Sequence, residues 1–165
     1  GGVLVNDKGE VIGVTTAILS SSGVSAGIGF AVPAAIVEKV VPALIEEGRY
    51  AHAWLGISGT SMAPELAEAM GLDANQRGAL VIEVVPGGPA EEAGLQGSDR
   101  EVSVDGMTLR VGGDIIVAFD GAPVHNFEDV VAYINDAEVG QKVRLTVLRD
   151  GREEQFTVTL QARPE

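Results

Sequence analysis

The sequence predicts an α+β, β-rich chain built in two unequal parts, and three observations carry that prediction. Three Asp-Gly pairs, at 105–106, 120–121 and 150–151, each lie between β-type residues, a strong short-range hairpin signal. The last segment alternates cleanly, with Val143, Leu145 and Val147 set against Phe156, Val158 and Leu160, the pattern of strands with one buried face. Near the start, Ile36, Val37, Val40, Val41, Leu44 and Ile45 form one apolar stripe at helical spacing.

In chain order, residues 3–5 and 10–19 are predicted as a hairpin around the loop Asn6-Asp7-Lys8-Gly9. Residues 20–26 are small and polar, a loop, and residues 27–32 form another strand. Pro33 then opens a helix where its missing N–H costs nothing. Pro42 inside that helix is expected to kink it, and Gly48 is its expected stop. Residues 49–53 are predicted as a linker. A strand at 55–58, a helix at 63–70 ended by Gly71, and a strand at 79–85 follow. Pro86-Gly87-Gly88-Pro89 turns into a one-turn helix ending at Gly94. Residues 98–110 form an extra hairpin. Asn126 caps a helix whose Phe127, Val130, Val131 and Ile134 share a face.

The segment 51–165 holds about six strands and two or three helices, enough to close a small core. The first 48 residues offer about three strands and one helix, a sheet with unprotected edges. The expected division is therefore 1–48 and 49–165.

Composition narrows the function. The chain has 165 residues, 11 basic and 24 acidic, a net charge of −13, with 19 of the acids after residue 50. Such a surface opposes nucleic acid, whose phosphates need basic partners, and anionic membranes alike. No apolar run approaches the ~20 residues of a membrane span. The chain begins directly in β-like sequence, with no charged start or cleavage site of a secretory leader. There is no cysteine, so thiolate chemistry, disulfides and Cys-based zinc sites are excluded. Asp99, Asp105, Asp114 and Asp120 are expected as turn residues, since no calcium-loop spacing is present. Gly27-x-Gly29 lacks the strand-to-helix setting of a dinucleotide site. No cofactor or metal is expected.

Three stretches carry a resemblance. Gly1-Gly2-Val3-Leu4 followed by residues 9–17 is similar to a G-N-S-G-G-P-L segment and its next strand, with Val3 where the pattern has proline. Gly27-Ile28-Gly29-Phe30-Ala31-Val32-Pro33 is similar to G-I-G-F-A-I-P. Trp54-Leu55-Gly56-Ile57, with residues 78–94 and Gly113-Asp114-Ile115-Ile116, completes the set. Together they cover essentially the whole chain and resemble the HtrA/Deg-type serine proteases. The resemblance implies a remnant of the second trypsin-like β-barrel over 1–48, then a PDZ domain over 49–165. It places the nucleophilic serine just before Gly1, with its histidine and aspartate further upstream. Without that triad no activated nucleophile exists, so the chain is expected to be inactive alone although its parent is a serine endopeptidase. The family works in the periplasm or cell envelope.

For binding, Leu55-Gly56-Ile57 is the informative motif. Glycine permits a tight curve that points successive N–H groups at a terminal carboxylate, and the peptide then adds as a strand. The expected site comprises Trp54, Leu55, Gly56, Ile57, Ser58, Phe127, Val130, Val131 and Ile134. His52, where relatives often carry a basic residue, either assists the carboxylate or is an ordinary linker histidine. Expected partners are peptides or unfolded proteins with apolar C-termini and the missing protease half. Two other readings remain open at this level: a stand-alone PDZ adaptor, and residues 1–48 as an assembly element that forms homo-oligomers.

Overall fold

A computed structural model describes residues 1–19, 27–104 and 106–164. The loop expected at 20–26 and Asp105 of the first Asp-Gly turn lie outside them. The chain divides into two compact units, residues 1–50 and 51–165.

The first unit contains β1 (Val3–Val5), β2 (Val11–Ile18), β3 (Gly29–Pro33) and α1 (Ala34–Glu47), with the strands in antiparallel order β1-β2-β3. The Asn6 carboxamide oxygen accepts from the N–H groups of Lys8 and Glu10 and so closes the hairpin. Pro33 is the N-cap of α1 and Gly48 its left-handed C-cap at φ 73°. The helix continues through Pro42 as one element. Patterning without a second layer leaves its residues open: Val3, Phe30 and Ile45 are 63%, 54% and 78% exposed. Among the described residues of this unit only Gly13 is buried.

The second unit runs β4 (Ala53–Trp54), β5 (Ile57–Ser61), α2 (Pro64–Ala69), β6 (Ala79–Val84), α3 (Pro89–Ala93), β7 (Arg100–Val104), β8 (Met107–Val111), β9 (Ile115–Phe119), β10 (Ala122–Pro123), α4 (Phe127–Asp136), β11 (Lys142–Arg149), β12 (Arg152–Thr159) and β13 (Gln161–Ala162). The main sheet is ordered β12-β11-β9-β6-β5, with β10 paired to β9; β13 pairs with β4, and β7 with β8. Asp120-Gly121 and Asp150-Gly151 make their turns with all four residues at positive φ, as tight hairpins require. In the last hairpin Val143 opposes Val158 and Leu145 opposes Phe156.

Alternation along the central strands builds cores on both faces. Val81, Ile116 and Leu145 point to one side, where Leu55, Val130 and Leu160 complete the cluster. Leu80 and Ile115 point to the other, with Met62, Leu66 and Val111.

Three expectations are corrected. The linker ends early, because Ala53 and Trp54 pair with Ala162 and Gln161. The strand expected at 55–58 begins at Ile57, since Gly56 takes φ 81° and breaks extended geometry. Asp114 is no exposed turn residue. It is 1% exposed and holds Arg149 by two 2.7 Å bonds, while accepting from the Gln96 N–H at 2.8 Å. Arg149 also donates to the Gly94 carbonyl at 2.8 Å and lies 4.7 Å from the Phe156 ring centroid. The hydrogen bonds to Asp114 raise the Arg149 guanidinium pKa above its ordinary value.

Candidate functional site

β5 is an edge strand: β6 covers one side and the other is open. Such an edge presents N–H and C=O groups for a further strand. The Gly56 carbonyl accepts from Val85 N–H at 2.8 Å, and the Leu55 carbonyl from Ala90 N–H at 3.0 Å. Both peptide bonds are trans, so the N–H groups of Gly56 and Ile57 point away from those partners. Pair alternation then turns the N–H and C=O of Ile57 toward the open edge. A curved loop with outward N–H groups passes directly into a strand whose outer edge is open.

Glycine is required at the curve. A Cβ on Gly56 would lie 3.3 Å from Pro89 Cδ and from the Trp54 ring, at φ 81°. The Trp54 ring also lies 3.3 Å from where a Gly88 Cβ would be. Trp54 is thus a strut that holds two glycine segments together. On the strand side, a Cβ at Gly59 would come within 2.5 Å of the Leu80 carbonyl oxygen and 2.6 Å of the Phe127 ring. Glycine there lets α4 approach β5.

The start of α4 is fixed from both sides. Asn126 accepts from Asp129 N–H at 2.8 Å. The Ser61 hydroxyl accepts from Phe127 N–H and donates to Glu128, both at 2.9 Å. The second interaction ties the end of β5 to the first turn of α4 and sets the width of the gap between them.

That gap is a cavity of about 390 Å³. Nine of the ten expected residues line it: His52, Trp54, Leu55, Gly56, Ile57, Phe127, Val130, Val131 and Ile134. Ser58 does not; it is exposed on β5 outside the cavity. Three further lining residues, Ala53, Asn135 and Arg163, were not anticipated. Asn135 lies four positions after Val131, so helical spacing could have found it. Ala53 and Arg163 arrive through the β4–β13 pairing, which joins segments about a hundred residues apart and leaves no local signal. The lining is mainly apolar, with His52, Asn135 and Arg163 as its long polar side chains, as suits a ligand with an apolar side chain and a few polar groups.

Among the described residues no cluster of three His, Asp or Glu side chains is placed to hold a metal, and no helix is long and apolar enough to cross a membrane.

Comparison with known proteins agrees with this geometry. The PDZ domain family model matches residues 55–160. The periplasmic serine endoprotease DegP of Escherichia coli K12 is 38% identical over 161 residues, 98% of this chain and 31% of DegP. The periplasmic pH-dependent serine endoprotease DegQ of the same organism is 39% identical over 160 residues, 97% of this chain and 32% of DegQ. The solved HtrA-type protease AlgW with decapeptide superposes with a TM-score of 0.79 at 34% identity, covering 100% of this chain and 46% of that one. The chain thus spans about a third of the length of the curated relatives it matches.

Proposed function

Because this chain belongs to the PDZ-domain family and is homologous over its whole length to the HtrA-type serine proteases, we propose that residues 51–165 capture polypeptide C-termini in the groove between β5 and α4. The observation that carries the reading is the junction at Gly56, where outward N–H groups lead into an open strand edge beside an apolar cavity. The terminal carboxylate lies against the Gly56–Ile57 curve. The last side chain fills the space between Leu55, Ile57, Val130 and Ile134. The preceding residues pair with β5.

The parent protein is a serine endopeptidase, and the groove presents substrates to it or senses misfolded polypeptides. Residues 1–48 are the end of its trypsin-like domain, whose missing part covers the apolar faces of β1–β3 and α1. The relatives DegP and DegQ are periplasmic endoproteases, and we assign this protein to an extracytoplasmic compartment.

Titrating the isotope-labelled chain with a short peptide ending in a free apolar residue tests the reading. Amide shifts are expected on Gly56, β5 and the inward face of α4, with affinity near micromolar because ordering the peptide offsets much of the gain. Amidating the peptide's end should weaken binding by about 1.5–3 kcal/mol, the range for a hydrogen bond to a charged group. Shifts confined to any other surface would refute the groove.

A further inference from the structure

The lining of the groove carries a charge that the acidic surface makes conspicuous. Residues 51–165 hold 8 basic and 19 acidic residues, yet no carboxylate lines the cavity. Its ionisable lining residues are His52 and Arg163. Arg163 follows β13 directly, and its own N–H donates to the His52 carbonyl at 2.9 Å. The backbone is therefore pinned to the strand that leads into Leu55 and Gly56. Its side chain is exposed. Among the described residues the ion pairs engage Arg100, Arg110 and Arg149, and none engages Arg163.

A carboxylate entering this groove must approach a unit of net negative charge. The N–H groups at Gly56 and Ile57 supply dipoles but no net charge, whereas a guanidinium supplies both charge and directed donors. We propose that Arg163 is the charge partner of the bound polypeptide's terminal carboxylate, a specificity residue that favours a free chain end over an internal extended segment. The proposal rests on the groove reading above and adds to it the residue that recognises the end.

The test is a double comparison on the full chain by fluorescence anisotropy. Two labelled peptides of one acid-free sequence are used, one ending in a free carboxylate and one in an amide. Arg163→Gln should weaken the free-acid peptide about fivefold, the scale of a solvent-screened ion pair. It should leave the amidated peptide unchanged, so the acid-to-amide ratio shrinks by the same factor. Arg163→Lys should restore most of the ratio. Added salt should erode the wild-type ratio more than that of Arg163→Gln. An unchanged ratio in a variant with the wild-type melting transition overturns the proposal. If Arg163→Gln melts early, the wild type and Arg163→Lys are compared with a free-acid peptide across the salt series, and a flat response overturns it. Equal wild-type affinity for both peptides overturns Arg163's role but leaves the groove as a site for internal strands. Binding of neither peptide removes the groove reading and Arg163's role together.

Discussion

Residues 1–50 and residues 51–165 obey the same local rules and reach opposite results. Both have antiparallel hairpins closed by turn residues, and a helix with a favourable cap, Gly48 ending α1 and Asn126 opening α4. In the second unit, alternation along β6, β9 and β11 meets α3 and α4 on one face and α2 with the β7–β8 hairpin on the other. In the first unit the same kind of alternation leaves the side chains on β1–β3 and α1 largely open. Local pattern selects elements, whereas a core requires a second layer whose apolar face is turned inward.

The largest expected effect divides the chain. A fragment of residues 51–165 should unfold in urea in one transition, with the midpoint of its transition in the full chain. A fragment of residues 1–50 should show no cooperative transition at all, since too little apolar surface is covered to offset chain entropy. Loss of folding in the longer fragment would move the boundary and break the comparison.

Next in size is Asp114→Ala. It removes the buried partner of Arg149 and leaves it only the half-exposed Glu154 at 3.6 Å, and should cost about 3–5 kcal/mol, the range for breaking a buried pair. The urea midpoint of the second unit reads this directly. The corresponding polar change in the first unit, Asn6→Ala at its exposed turn, should not move that midpoint.

Gly56→Val should cost about 1–3 kcal/mol, the scale of backbone strain at a position of positive φ. Peptide affinity should fall further than stability does, because Trp54 and Pro89 must shift to admit the new side chain. Isothermal titration beside a melting curve separates the two effects, and equal losses would deny the loop a special role.

The smallest is Ser61→Ala, about 1 kcal/mol for the loss of a helix-start acceptor. It should also loosen the spacing between β5 and α4, visible as a faster off-rate for bound peptide. An unchanged off-rate would mean that packing of Phe127 against Gly59 sets the gap alone.

How much of this was legible in the sequence follows the range of the interaction. Asn126 as a cap, Gly48 as a stop and the Asp-Gly turns at 120 and 150 are decided within four residues, and the chain states them openly. The shared face of Phe127, Val130, Val131 and Ile134 is likewise a matter of spacing. The start of β5 was placed two residues early because apolar Leu55 looks like a strand residue, while its neighbour Gly56 takes a left-handed backbone that ends extended geometry there. Asp114 looked like a turn residue because its partner Arg149 lies 35 positions away. Ala53 and Arg163 were invisible for a similar reason, since a two-residue strand has no periodicity to display. Ser58 was named as part of the strand beside which a peptide would add, and its side chain lies outside the cavity because adjacent strand residues face opposite sides.

The pairing of β4 with β13 also has a mechanical meaning. The first and last strands of the second unit run side by side in antiparallel register, so a load applied through both ends arrives at one point. It peels a two-residue zipper bond by bond before it can shear the longer sheet behind. The outermost of these bonds joins Arg163 to His52, both of which line the groove. Tension along the polypeptide would therefore reach the ligand site before the fold, and grip on a bound chain end would slacken while the core stayed intact.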